Sequence, residues 1–332
     1  MNAAPPTHSP ARAGPRPSLE GQRDRQTTVH PGVDVASYAV RARRRRRRLG
    51  GRLAAVTLAG LHQVALPVVL ATVLGTALSI LLAVRINTAY QRWWEASGVW
   101  AQLVGFSRNL LRVVTAVSGA KTDVDPHAVT AFQRDMARRQ VAYLTALRLA
   151  LRGQLDPAGR AELAGYLTPD EALALAEEDN PAVLLLAGQS RRIYAAFGEG
   201  VLSGFDNFQM EFALAGMSTQ QALAERVVMQ PVPRTYDVFS RYLVHLYVLV
   251  FPFAVAGSLP RDGWLVIPAS LVVAFAFRML ERIGSVVEAP FANTIQDVPI
   301  TAVTTLVERD LLALVGEPHR PPAPRPVAGY LW

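Results

Sequence analysis

Val64 to Val84 form an unbroken apolar run of 21 residues that ends in the string Arg85-Ile-Asn-Thr-Ala-Tyr-Gln-Arg-Trp-Trp-Glu95. The run holds no charged residue, and at 1.5 Å per helical residue it matches the ~30 Å of a bilayer core. The string after it has the chemistry of a membrane–water boundary. Arg85 and Arg92 are expected to anchor at headgroups or to stay on the cytoplasmic side, and Tyr90, Trp93 and Trp94 suit the interfacial zone. Trp100, Leu103, Val104 and Leu110 then follow at helical spacing. The pattern predicts one long helix that crosses a membrane and continues into a soluble body.

With 51% hydrophobic and only 18% charged residues, the chain has enough apolar surface for such a role. It has no cysteine, which excludes disulfides and thiolate metal sites. None of its six histidines forms a ligand-spaced pair, so neither metal nor cofactor is expected. Residues 1–52 hold 12 Arg against Glu20, Asp24 and Asp34, so the whole net charge of +8 lies in that stretch and the rest of the chain sums to −1.

Residues 1–48 read as a disordered tail, rich in Pro, Gly, Ser and Thr and ending in Arg41 and Arg43–Arg48. The basic cluster suits lipid headgroups, nucleic acid, or a signal that holds this end in the cytoplasm; the last is favoured. No signal peptide fits. Between that cluster and Arg85 lie 36 residues, fewer than two full spans need. A short oblique first helix at about Leu53–Leu61, a degenerate first span, or a misassigned start would each account for this.

Residues 86–236 read as a helical soluble body. Asp125-Pro126 opens a helix running to Arg152, Thr168-Pro-Asp-Glu171 begins another with acids in its first turn, and Asn180-Pro181 begins a third. No alternating strand pattern of any length occurs. Two apolar segments follow, at about 241–257 and 264–278, joined by the short hairpin Ser258–Gly263. Arg278, Glu281 and Arg282 mark a return to the cytoplasm, and a second soluble part covers 279–316. Residues 317–332 form a Pro-rich tail. With the first span at about 53–84, both termini are expected to be cytoplasmic.

The string Arg85-x-Asn87-x-x-Tyr90-x-Arg92-Trp93-Trp94-Glu95, followed by Trp100-x-x-Leu103 and Ser107-Arg108-Asn109, resembles the signature of the bestrophin family in its bacterial branch. Pro231-Val-Pro233-Arg-Thr-Tyr236 resembles the family's Pro-x-Pro-x-x-Tyr stretch. Glu288-Ala-Pro290-Phe291 and Asp297-Val-Pro299 resemble its Glu-x-Pro-Phe and Asp-x-Pro motif. The match covers about residues 64–316 and makes 49–316 one domain. The resemblance implies an all-α integral membrane protein assembled as a homopentamer, with a central pore for small monovalent ions and a bacterial inner-membrane location. Family labels say chloride, while bacterial members conduct cations.

Positions 76, 80 and 84 lie four apart and share one helix face. By the resemblance, Thr76, Ile80 and Val84 fall at the pore neck, where apolar rings gate by dewetting. The family's usual Ile and Phe are replaced at the ends by Thr76 and Val84, which implies a wider or wetter neck. Val232, held extended between Pro231 and Pro233, matches the family's cytoplasmic aperture. Eukaryotic members bind calcium through an acidic run, but Ala292-Asn-Thr-Ile-Gln-Asp297 offers a single carboxylate, so no calcium clasp is expected. Asp297 is expected to cap the helix after it, and Glu288 to meet arginines of a neighbouring subunit. His245, inside an apolar segment, reads as a hydrogen-bonded imidazole between helices.

Catalytic patterns are missing: there is no Gly-x-Ser-x-Gly, phosphate loop or His-Glu-x-x-His. The competing reading is a non-conducting membrane scaffold or accessory subunit. Expected partners are further copies of the chain, membrane lipids and permeant ions, with nucleic acid disfavoured.

Overall fold

The computed structural model describes residues 66–230, 234–256, 265–326 and 331. These belong to one compact unit, Leu61–Trp332. The N-terminal tail, the first half of the expected first span, the Ser258–Gly263 turn with Trp264, and Pro231, Val232 and Pro233 lie outside the described residues.

The described residues form helices and no strand. In chain order these are α1 (Val68–Gly119), α2 (Pro126–Leu151), α3 (Pro157–Ala164), α4 (Pro169–Ala174), α5 (Pro181–Gly198), α6 (Asp206–Met229), α7 (Arg234–Ala256), α8 (Val266–Val287) and α9 (Ile300–Leu314). Proline opens α2, α3, α4 and α5, where its missing N–H costs nothing. Asp125 and Asp156 cap α2 and α3, and Thr168 with Glu171 closes a reciprocal capping box on α4.

α1 is the spine. Its 52 residues run unbroken for about 78 Å at the helical rise, far more than a bilayer core requires. Buried positions recur along it three or four residues apart, with one gap of seven: Ala71, Gly75, Leu78, Leu82, Arg85, Ala89, Ala96, Val99, Leu103. That stripe is apolar except at Arg85 and lets α1 pack against α6, α7, α8 and α9 in turn.

Two apolar cores result. The small one joins Leu78 and Leu82 of α1 to Val244 and Tyr247 of α7, with Phe251 and Phe277 against it. The ring of Tyr247 meets that of Phe277 edge-on at 4.8 Å. It lies so close to α1 that a Cβ at Gly75 would stand 2.6 Å from its hydroxyl. The large core fills the body around Trp100, Phe132, Tyr143 and Leu147, all but fully buried. Each such side chain contributes roughly 2–3 kcal/mol of apolar burial. α6 touches α1 closely here too, since a Cβ at Gly216 would lie 2.4 Å from the Phe106 ring.

Two helices among the described residues are long and apolar enough to cross a bilayer, α1 and the Thr235–Ala256 part of α7. Of the expected 264–278 segment, residues 266–278 lie in the first part of α8, whose apolar stretch ends at Phe277 before Arg278, Glu281 and Arg282.

Candidate functional site

The Arg85–Glu95 string sits halfway along α1, where the small core gives way to the large one. Arg85 projects from the buried stripe and is only 4% exposed. A cation buried there needs anionic partners. It has three: Asp237 of α7 in a hydrogen-bonded ion pair, Glu288 at 3.5 Å and Glu281 of α8 at 4.0 Å. Arg241, one turn after Asp237, bonds Asp237 at 2.9 Å and reaches Glu281 at 3.7 Å. Two guanidiniums and three carboxylates thus tie α1, α7 and α8 into one charged hub. The arrangement excludes the headgroup anchoring expected of Arg85.

Arg92, two turns further along, also turns inward. Its three guanidinium nitrogens donate to the carbonyls of Val227 at 2.6 Å, Gln230 at 2.6 Å and Glu288 at 3.2 Å. Those carbonyls belong to the ends of α6 and α8, where the helix leaves oxygens unpaired and favours a cation. Arg92 is therefore a clamp on two helix C-termini rather than a lipid anchor. Glu95 pairs with Arg226 of α6, and Trp93 Nε1 donates to the Gln296 carbonyl at 3.0 Å. Tyr90 and Trp94 stay exposed, with the Tyr90 ring 6.2 Å from that of Trp93 and 6.3 Å from that of Trp94. Asn87 is exposed.

The third motif closes the junction. Pro290 and Phe291 are buried, and Phe291 joins the large core. Asp297 does not cap α9, which begins at Ile300 with Pro299 in the cap position and no side-chain bond. Its carboxylate turns back instead and accepts from Thr294 N at 3.0 Å and Thr294 Oγ1 at 2.5 Å. Donors within its own turn are nearer than those of α9, and they fix a loop in which Asn293 takes a left-handed φ of 63°. Glu288, expected to meet a neighbouring subunit, pairs with Arg85 within its own chain. It caps α8, which brings its carboxylate beside Arg85. A cavity of about 630 Å³ opens next to this junction, lined by Arg92, Arg152, Asp237, Ser285, Glu288 and Phe291 among others.

Thr76, Ile80 and Val84 lie on the side of α1 opposite the buried stripe. All three are exposed, Ile80 at 62% and Val84 at 52%. The Thr76 hydroxyl donates to the Thr72 carbonyl at 2.9 Å, so its polarity is partly satisfied within the helix. The imidazole of His245 is exposed on α7, where it lines a groove shared with α8, and its Nδ1 lies 2.6 Å from the Arg241 carbonyl of its own helix. The sequence reading missed Asp237 and Glu281 as partners of Arg85. A lone arginine on the apolar face of a long helix was the available signal, because such a charge requires a carboxylate from a neighbouring helix.

Two motif segments far apart in sequence, Arg85–Glu95 and Glu288–Asp297, therefore meet at one junction. The family model described as Bacterial/Fungal Bestrophin protein matches residues 51–313. The chain belongs to the bestrophin family. Among bestrophin relatives, the voltage-dependent anion channel-forming protein YneE of Escherichia coli (strain K12) is 30% identical over 253 residues, which is 75% of this chain and 77% of that protein. The voltage-dependent anion channel-forming protein sll1024 of Synechocystis is 25% identical over 257 residues, covering 77% and 80%. The crystal structure of a bacterial bestrophin homolog from Klebsiella pneumoniae shares the fold, with a TM-score of 0.72 and 24% identity over 81% of this chain and 97% of that one.

Proposed function

We propose that this bestrophin is one subunit of a homopentameric ion channel of the bacterial inner membrane. Small monovalent ions would pass along the five-fold axis, with both chain termini cytoplasmic. The observation that carries the reading is the division of α1 into two faces. One side is buried against α6–α9, and on the other Thr76, Ile80 and Val84 are exposed among the described residues. Five copies around an axis would turn each of these positions into a ring. Rings of Ile and Val resist wetting, while a Thr ring at the outer end lowers that resistance. Val232, between its prolines, is proposed as the narrowing at the cytoplasmic exit.

The relatives' names favour anions. The neck itself carries no charge, so selection would rest on its width and on dipoles around it. The hub at Arg85 keeps its charges in internal pairs and serves to hold the spanning helices in register beside the neck. A scaffold role would leave the exposed face of α1 without a purpose.

The test is the reversal potential of the purified protein in a planar bilayer under an asymmetric NaCl gradient. A non-zero value is expected, and its sign names the permeant ion. Current indistinguishable from the empty bilayer, for both the native protein and Ile80→Ala, would rule the channel out in favour of a scaffold.

A further inference from the structure

Beyond the hub, α7 and α8 share a second arrangement that the channel reading does not use. Arg241 and His245 of α7 face Arg278, Arg282 and Ser285 of α8 across a groove of about 310 Å³. Its rim carries three guanidiniums against the single carboxylate of Glu281, and that carboxylate is already shared between Arg241 and Arg85. Arg278 and Arg282 lie one turn apart and are exposed, with no ion pair among the described residues. The groove therefore holds unspent positive charge in a geometry suited to bidentate contact with phosphate oxygens.

The groove continues into apolar surface. His245 also lines a neighbouring groove of about 420 Å³ formed with Phe239, Tyr242, Leu243, Leu246 and Leu249. Tyr242, Leu246 and Leu249 are exposed at 72%, 49% and 62% along one side of α7. His245 bridges the two regions. A carbonyl can only accept, so the contact with Arg241 puts the hydrogen on Nδ1 and leaves Nε2 as an acceptor for a hydroxyl of the occupant.

One occupant satisfies both halves. A free phosphate would answer the arginines and leave the apolar groove wet. A zwitterionic headgroup brings its own cation against three guanidiniums. An anionic headgroup with an acyl chain answers the charge and covers the leucines, and basic pockets between spanning helices on the cytoplasmic side suit such lipids.

We propose that Arg241, Arg278 and Arg282 bind the phosphate of one anionic phospholipid, with His245 Nε2 accepting from a headgroup hydroxyl and the acyl chain along Tyr242, Leu246 and Leu249. The proposal rests on the membrane placement given above, though not on conduction.

Native mass spectrometry of the purified full-length protein in detergent tests it, with phosphatidylglycerol, phosphatidylcholine or inorganic phosphate added. Phosphatidylglycerol adducts should exceed phosphatidylcholine adducts, and Arg278→Gln/Arg282→Gln should cut them roughly tenfold or more at unchanged oligomer mass. Leu246→Asn, a milder change, should weaken both lipids. Equal adducts of the two lipids on the native protein would overturn the site, as would a folded double variant that keeps its phosphatidylglycerol. Displacement of the lipid by inorganic phosphate would make the groove a free-anion site instead. A double variant with altered oligomer mass would make it a contact between copies of the chain. Conduction without lipid preference sinks this proposal alone, and lipid preference without current sinks the channel alone.

Discussion

Arg85 lies on α1 with Asp237 of α7 paired to one of its terminal nitrogens and Glu288, at the end of α8, 3.5 Å from the same nitrogen. One guanidinium thus holds both later helices against the spine. The other terminal nitrogen has only Glu281 at 4.0 Å, beyond hydrogen-bonding distance. The hub is held by charge attraction more than by saturated hydrogen bonds.

Replacing Arg85 with Met is expected to leave Glu288 without its cation and Asp237 and Glu281 with Arg241 alone. The cost should be on the order of 3 kcal/mol, as for breaking other buried ion pairs from one side. Adding Asp237→Asn to Arg85→Met should recover part of it, because one of the repelling charges is gone. Denaturation midpoints of the detergent-solubilised variants decide the matter; additive losses would show that the two residues do not act as a pair.

Gly75→Ala should destabilise by about 1–3 kcal/mol, because the new methyl would sit 2.6 Å from the Tyr247 hydroxyl in a packed contact. Tyr247→Phe in the same protein should restore part of the loss by removing the nearest atom. Thermal unfolding of the single and double variants measures this. An unchanged Tm for Gly75→Ala would mean that α1 and α7 are further apart than described.

Ile80→Ala should raise single-channel conductance by about twofold or more, since a smaller ring of side chains is easier to wet. Arg108→Gln, which removes only an exposed ion pair with Asp310, should leave conductance unchanged. Equal currents from Ile80→Ala and the native protein would remove Ile80 from the conducting path.

Glu308 on α9 provides a pH dependence. Burial pushes its carboxyl above the ordinary value of 4.5, against the pull of the Tyr166 hydroxyl that donates to it at 3.2 Å, and nearby Glu162 adds to the rise. Its folded value exceeds its unfolded one, so the protonated form stabilises the fold. That contribution is complete below the unfolded value and is lost as pH rises through the folded one. Glu308→Gln keeps an acceptor for Tyr166 and no charge, so it should be more stable than the native protein at pH 7 and equal to it near pH 4. Melting curves at the two pH values provide the check, and a constant difference would refute the assignment.

Much of this was legible in the chain itself, for local reasons. The starts of α2, α4 and α5 are fixed by a cap residue followed by proline, a pattern complete within four residues. The continuity of α1 could be followed because its apolar positions keep one spacing on both sides of Arg85. What local pattern could not supply was direction. Arg85 and Arg92 look alike as boundary cations, yet one meets carboxylates and the other meets carbonyls, and only the packing of α6 and α8 decides which. Asp297 failed for a similar reason: its spacing from Pro299 suits a cap, but the turn at Asn293 brings Thr294 closer. The pairing of Glu288 with Arg85 went unseen because the end of α8 has no signature in sequence.

The unbroken length of α1 has a mechanical consequence. About 30 Å of this rod separates Ile80 from Trp100, so a tilt of about 5° at Trp100 carries Ile80 through about 3 Å. Ile80 stands near one end of that rod and Trp100 is locked into the body beyond its midpoint. With no proline between Val68 and Gly119 to absorb the motion, a small rotation of the body arrives at the membrane end as a lever stroke.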